Sequence, residues 1–155
     1  MSEERTTAVS WRIKPMPTAY KELALDGRYT AAEMVQISRG YHPQEQQDKW
    51  FIYFADEWLH VHRSWTGTCI FQLRLLPDGA LYHADRLRVN ADPAQYTMAD
   101  DAYNVSLLAY LIDHLLLNRF APMPLPGKMS TADEQRHTQH VMGERQERGI
   151  RLRVL

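Results

Sequence analysis

The sequence has 155 residues, of which 45% are hydrophobic and 24% are charged, and these ordinary globular values exclude disorder of the whole chain. Eighteen basic residues oppose 19 acidic ones, so the net charge of −1 lacks the basic excess that most nucleic-acid-binding proteins use to neutralise phosphates. A nucleic-acid partner is therefore disfavoured. Four tryptophans are expected to supply large rigid pieces of the core.

The chain shows no sign of export or of membrane insertion. Its first residues, Met-Ser-Glu-Glu-Arg, contain no apolar segment of the kind found in signal peptides. The most apolar stretch, residues 107–117, is short and is interrupted by Asp113 and His114, so we expect no membrane span. The single cysteine, Cys69, excludes an intramolecular disulfide and suits a reducing compartment. These features predict a cytoplasmic protein.

Residues 1–18 are polar and end in the sequence Pro-Met-Pro, which is typical of a stiff, extended segment. Trp11 and Ile13 alternate with polar neighbours within it. We therefore predict an extended N-terminal arm that forms either a short edge strand or a docked segment, followed by a core over residues 19–121.

The first helix is predicted to begin at Thr30. Thr30 and Glu33 have the spacing of a capping box, in which each side chain bonds the backbone N–H of the other residue. Val35 and Ile37 are expected to supply its apolar surface, and Gly40 is expected to end it.

The middle of the chain predicts four consecutive strands. Aromatic and β-branched residues, or strict alternation of apolar and polar residues, mark segments 50–54, 58–63, 68–75 and 81–89. Short turns separate them, including Pro-Asp-Gly at residues 77–79. Strands joined so tightly are most simply antiparallel neighbours.

A second helix follows, capped by Asp100 or Asp101. Its apolar residues recur at helical spacing and should cover one face of the sheet: Val105, Leu108, Leu111, Ile112, Leu115 and Leu116. Residues 122–128 predict a proline-rich linker, and residues 129–155 predict a C-terminal helix and a terminal strand. The predicted fold is one α+β domain over residues 1–155, an antiparallel four- to five-stranded β-meander covered by helices.

The densest group of chemically active side chains lies at the end of the second predicted strand. A guanidinium, two hydroxyls and a glycine turn beside an aromatic ring could hold an anion attached to a flat group. The structural alternative is a strand-ending turn whose hydroxyls bond the backbone and whose tryptophan fills the core. The candidate ligand-binding residues are His60, His62, Arg63, Ser64, Trp65 and Thr66.

Metal binding and nucleophilic catalysis have weaker support. His60 and His62 point to one face of a strand, but no spacing fixes a third ligand from His83 or Asp85. Ser64, His62 and Asp56 include the residue types of a hydrolytic triad without the G-x-S-x-G turn. We expect neither a metal nor a cofactor.

The aromatic run at residues 50–54, the following Trp58-Leu59 and the segment His62-Arg63-Ser64-Trp65-Thr66-Gly67 resemble a small family of bacterial proteins. Similar segments in that family occur alone or near ADP-ribosylglycohydrolase and macro-type domains. The resemblance covers residues 48–75 and carries no catalytic residue with it. It implies a cytoplasmic bacterial accessory protein connected with ADP-ribose or nucleotide metabolism.

Two functions from different classes remain. The first is a non-catalytic binding protein that recognises a small anionic, nucleotide-like ligand or a protein partner. The second is a small enzyme acting on a nucleotide or ADP-ribosyl substrate through His60, His62, Arg63 and Ser64. The first is favoured because no acid–base pair is fixed by spacing. A homodimer, in which the C-terminal segment of one chain packs on the next, is a further hypothesis.

Overall fold

The computed structural model describes residues 6–120, Pro124 and Leu152. Within them the fold is α+β, as predicted. The elements in chain order are β1 (Tyr20–Thr30), α1 (Ala31–Arg39), β2 (Trp50–Ala55), β3 (Trp58–Arg63), β4 (Cys69–Asp78), β5 (Leu81–Asn90) and α2 (Asp101–Leu111), which continues as a π-helical turn over Ile112–Leu116. The predicted helix and strand over residues 129–155 lie outside the described residues, apart from Leu152.

The sheet has five antiparallel strands in the order β1-β5-β4-β3-β2. Strands β2 to β5 form the predicted meander. Strand β1, which the sequence analysis missed, pairs along β5 at the far edge of the sheet. Lys21, Glu22, Asp26 and Gly27 have low strand propensity, so this segment is a strand because it pairs with a partner about 60 residues away.

The core lies between one face of the sheet and the helices. The rows of paired residues across the sheet place aliphatic and phenylalanine side chains on this face. Helix α2 and its π-helical turn contribute Val105, Leu108, Leu111, Ile112 and Leu116, which confirms the predicted stripe except that Leu115 is half-buried. Asp100 caps α2 by accepting a hydrogen bond from the Tyr103 N–H at 3.0 Å.

Helix α1 begins as predicted. The Thr30 hydroxyl accepts from the Glu33 N–H at 3.0 Å, and the Glu33 carboxylate accepts from the Thr30 N–H at 2.8 Å. Gly40 ends the helix. The prediction for Val35 was wrong, because Val35 is 54% exposed while Met34 and Ile37, three positions apart on one helix face, are buried.

The N-terminal arm is docked rather than paired as an edge strand. The Thr6 N–H bonds the Arg39 carbonyl, and the Lys14 N–H bonds the Gly67 carbonyl, each at 2.9 Å. Between these points, the Trp11 indole N–H donates to the Ser64 carbonyl at 2.8 Å and its ring stacks on Phe51. The arm therefore covers the Phe51 end of the sheet face opposite the helices.

None of the four tryptophans is fully buried in the core, contrary to the prediction, although Trp50 packs against it. Trp11, Trp50 and Trp58 are half-buried and Trp65 is 70% exposed. An indole carries an N–H donor, which Trp11 and Trp65 each satisfy at a backbone carbonyl near the surface. In the part of the chain that the structure describes, no helix is both long enough and apolar enough to cross a membrane.

Candidate functional site

A groove lies beside the end of β3. Its walls are Arg63 from β3, Tyr103 from α2, and residues 93–98 of the loop between β5 and α2. It is open to solvent and has a volume of about 410 Å³, which is within the range of small-molecule binding sites.

Arg63 is the only residue lining this groove that belongs to the sequence-predicted site. As the last residue of β3 it pairs with Trp50 of β2, and its guanidinium carbon lies 4.7 Å from the centroid of the Trp50 ring. Among the described residues, no carboxylate forms an ion pair with Arg63. Other half-buried or exposed arginines have such partners: Arg28, Arg74, Arg86 and Arg119.

The loop wall is shaped by side chains that bond the backbone. The Asn90 side-chain oxygen accepts from the Asp92 N–H at 2.9 Å, and the Asp92 carboxylate accepts from the Ala94 N–H at 2.9 Å. The Asp92 carbonyl then accepts from the N–H groups of Gln95 and Tyr96. These bonds turn the chain tightly after β5, and the next residues line the groove together with Arg63.

The Tyr96 side chain is held in place by the buried side-chain amide of Asn104. Its hydroxyl donates to the Asn104 side-chain oxygen at 2.6 Å, and the Asn104 amide N–H donates to the Met98 carbonyl at 3.0 Å. Burial, with a smaller contribution from Tyr103, raises the pKa of Tyr96 to about 12, and the positive charge of Arg63 acts in the opposite direction. Tyr96 is therefore a neutral phenol at neutral pH, and its ring is held at the groove.

His60 and His62 lie on the opposite face of the sheet from Arg63. Both rings stack on Tyr53, with centroid distances of 4.5 and 5.8 Å. The His60 Nδ1 accepts from the Gln72 amide at 3.2 Å. The His62 Nδ1–H donates to the Gly67 carbonyl at 2.9 Å, and the side chain is 2% exposed.

Burial lowers the pKa of both histidines, that of His60 to about 4. For His60 the charge of His62 adds to this effect, whereas for His62 the bond to Gly67 partly offsets it. Both imidazoles are therefore neutral at neutral pH.

The remaining predicted site residues make structural hydrogen bonds in the turn after β3. The Ser64 hydroxyl donates to the Asp48 carbonyl at 2.7 Å, and the Thr66 hydroxyl donates to the Thr68 hydroxyl at 2.9 Å. The Trp65 indole N–H donates to the Gln46 carbonyl at 2.8 Å while its ring is exposed. The six predicted residues thus do not line one surface.

The other side chains considered for chemistry are also apart. His83 lies beside Asp26, with 3.2 Å between its Nε2 and the carboxylate. Within the described ranges, no three His, Cys, Asp or Glu side chains come together as a metal site requires. The bonds of Ser64 and His62 go to different carbonyls, so they do not form a serine–histidine pair. Burial raises the pKa of the Cys69 thiol to about 12, which keeps it protonated.

The sequence analysis missed Gln95, Tyr96 and Tyr103. Their signal was weak: a loop of about ten residues between a strand and a helix cap, with Tyr96 in its middle. A connection of that length with a large aromatic residue is more often functional than a short turn is.

Comparison with known proteins finds no family model, no curated protein and no solved structure that this chain matches.

Proposed function

We propose that this protein is a non-catalytic binding protein whose groove beside Arg63 holds a small anionic, nucleotide-like ligand. The observation that carries the proposal is Arg63, a half-buried guanidinium that lines a groove and has no carboxylate partner among the described residues. A partly desolvated charge is costly unless it is paired. Because one face of the guanidinium packs on Trp50, its N–H edge suits two parallel hydrogen bonds to an oxyanion.

The composition of the groove supports binding rather than acid–base catalysis. Its described walls contain no aspartate, glutamate, histidine or cysteine. An anion entering the groove therefore meets no carboxylate on those walls, and a substrate there would find no side chain suited to general acid–base catalysis near neutral pH. This composition favours the binding protein over the alternative of an enzyme acting on nucleotide or ADP-ribosyl substrates.

The aromatic walls support a ligand that carries a flat group. Tyr96 and Tyr103 both line the groove, and the buried bond to Asn104 fixes the Tyr96 ring. A planar ring can stack on such side chains while its anionic substituent pairs with Arg63. The resemblance over residues 48–75 makes ADP-ribose and mononucleotides the first ligands to test, in a cytoplasmic bacterial accessory protein.

The test is the melting temperature of the protein as a function of ligand concentration, with ADP-ribose, adenosine monophosphate and orthophosphate. A ligand that binds only the native state must raise the melting temperature once its concentration exceeds the dissociation constant. We expect Arg63→Lys to weaken binding on the order of tenfold, because lysine keeps the charge and loses the planar fork.

Arg86→Lys is the matched control, since Arg86 lies on the other face of the sheet and is 47% exposed. It should bind as the wild type does. The proposal would be overturned if no anionic ligand raised the melting temperature of the wild type, or if both variants bound equally well.

A further inference from the structure

A buried amide at the end of β5, Asn90, is hydrogen-bonded to Gln95, one of the residues that line the groove. Asn90 is 2% exposed and makes three hydrogen bonds. Its oxygen accepts from the Asp92 N–H at 2.9 Å, and its nitrogen donates to the Cys69 carbonyl and to the Gln95 side-chain oxygen, each at 2.8 Å.

Two backbone atoms fix the orientation of the Asn90 amide. A backbone N–H can only donate and a backbone carbonyl can only accept. The atom facing the Asp92 N–H must therefore be the Asn90 oxygen, and the atom facing the Cys69 carbonyl must be its nitrogen. The second hydrogen of that nitrogen then requires an acceptor, so the Gln95 side chain must present its oxygen to Asn90.

The same constraint fixes what Gln95 offers to the groove. With its oxygen bonded to Asn90, Gln95 keeps its NH₂ group and both of its donors for a ligand. Arg63, which also lines the groove, is likewise only a donor. The two longest polar side chains of the groove therefore both present hydrogen-bond donors, which favours a ligand that supplies acceptors.

We infer that Gln95 is a second anion-binding residue, that Asn90 is the positioning residue that orients it, and that the groove selects an oxyanion, either phosphoryl or carboxylate, over neutral and cationic groups. This inference rests on the proposed function, since it concerns the same groove. It adds the class of group that is recognised and the reason for the selectivity. An ammonium group has no acceptor for Arg63 or Gln95, and a neutral hydroxyl can accept hydrogen bonds but brings no negative charge to pair with the guanidinium.

The test compares Gln95→Ala and Gln95→Glu with the wild type by calorimetric titration with orthophosphate, acetate, adenosine monophosphate and adenosine. Gln95→Ala removes the two donors and should weaken anion binding on the order of three- to tenfold, the effect of one lost hydrogen bond to a charged group. Gln95→Glu keeps an oxygen for the bond to Asn90 and replaces the NH₂ group by a negatively charged oxygen. It should therefore weaken anion binding more than Gln95→Ala does.

Gln36→Glu is the charge control, because Gln36 is an exposed residue of α1 and outside the groove. It should bind anions as the wild type does. Tighter binding of orthophosphate than of acetate would identify the phosphoryl group as the preferred oxyanion, and the reverse would identify the carboxylate. Adenosine should bind more weakly than its monophosphate.

The role of Asn90 is tested by a double-mutant cycle. Asn90→Asp removes the donor that holds the Gln95 oxygen, so it should weaken anion binding more in the wild-type background than in Gln95→Ala. The added charge acts in both backgrounds and cancels in the comparison. If Asn90→Asp does not fold, the side-chain NH₂ resonances of Gln95 in the wild type give a second readout, and they should shift on titration with orthophosphate.

The outcomes separate the two proposals. If the wild type binds no anion, both fall. Suppose that the wild type binds anions and that Arg63→Lys weakens this binding, while Gln95→Ala and Gln95→Glu bind as the wild type does. The proposed function then stands and the inference about Gln95 is overturned. Equal affinity for adenosine and its monophosphate would overturn the selectivity for an oxyanion.

Discussion

At the scale of single residues, Gly67 connects the N-terminal arm to the turn after β3. Its carbonyl accepts both the Lys14 N–H and the His62 Nδ1–H, each at 2.9 Å. Its backbone is left-handed, with φ of 77°, and a Cβ placed on it would lie 2.7 Å from the Arg12 carbonyl oxygen. The arm can approach this closely only because residue 67 has no side chain.

Gly67→Ala should therefore destabilise the protein by more than the usual cost of a left-handed alanine. Gly79→Ala is the matched control, since Gly79 also has a positive φ, of 62°, but a Cβ there would meet nothing within 4 Å. We expect Gly79→Ala to lower the free energy of unfolding by about 1–2 kcal/mol, from the backbone conformation alone, and Gly67→Ala to lower it by at least about 1 kcal/mol more. Urea denaturation measures both, and equal losses would show that the arm does not press on Gly67.

At the scale of elements, α2 and its π-helical turn are held by a continuous apolar stripe. Leu108, Leu111 and Ile112 are almost fully buried against the sheet and α1. The turn also brings Arg119 to Glu33, with 2.7 Å between charged atoms, so the end of this helix is tied to the start of α1. The same helix carries Tyr103 and Asn104, so the packing of the stripe positions one wall of the groove.

Leu111→Ala should lower the free energy of unfolding by about 2–5 kcal/mol, because it leaves a cavity where a leucine that is 2% exposed now packs. Ser106→Ala changes an exposed position of the same helix and should stay within about 0.5 kcal/mol of the wild type. Chemical denaturation of both variants is the measurement. An unchanged midpoint for Leu111→Ala would mean that the helix does not pack on the sheet.

At the scale of the whole molecule, the sheet has one apolar face under the helices and one face of aromatic and polar side chains. On the second face, Arg88 lies 4.2 Å from the Trp58 ring centroid and Arg74 pairs with Asp85 at 2.6 Å. His60 and His62 lie on this face too, beside Tyr53. Because burial keeps both imidazoles neutral in the folded protein, the stability of the whole fold depends on pH.

Stability should fall as the pH decreases below about 6.5. An unfolded histidine has a pKa of about 6.5. The folded-state pKa of each of these histidines is lower, about 4 for His60, so between the folded and the unfolded pKa the unfolded chain binds more protons than the native state. The free energy of unfolding then decreases with decreasing pH, by up to about 1.4 kcal/mol per pH unit for each histidine. The carboxylate of Asp85, whose pKa Arg74 holds below its usual value, adds a loss in the same direction only at lower pH.

The measurement is urea denaturation between about pH 7 and pH 5, a window above the titration of the carboxylates. His60→Gln removes one titrating group and should flatten the pH dependence. If the variant shows the same slope as the wild type, His60 does not titrate in the way its burial implies.

Elements defined by local chemistry were predictable from the sequence. The capping box of Thr30 and Glu33, the Asp100 cap and the alternation along β4 from Phe71 to Leu75 depend on neighbours within a few residues, and each lies in the structure where it was expected. The alternation fails before Phe71, where the register shifts and Ile70, expected on the polar face, is buried in the core. Alternation also places Arg63 on the face opposite His60 and His62, so the sequence already contained the reason that these residues do not share one site.

Contacts between distant segments were decided only by the tertiary structure. Strand β1 exists because β5 pairs with it, and Trp65 is exposed because its indole N–H finds a carbonyl at Gln46 rather than a place in the core. The groove joins Arg63 to a loop 30 residues later, and the Gln95 oxygen is bonded to Asn90, whose orientation is fixed in turn by Cys69 of another strand. Spacing along a chain specifies helix caps and strand faces, since these depend on bond geometry, whereas a binding surface depends on which segments pack together.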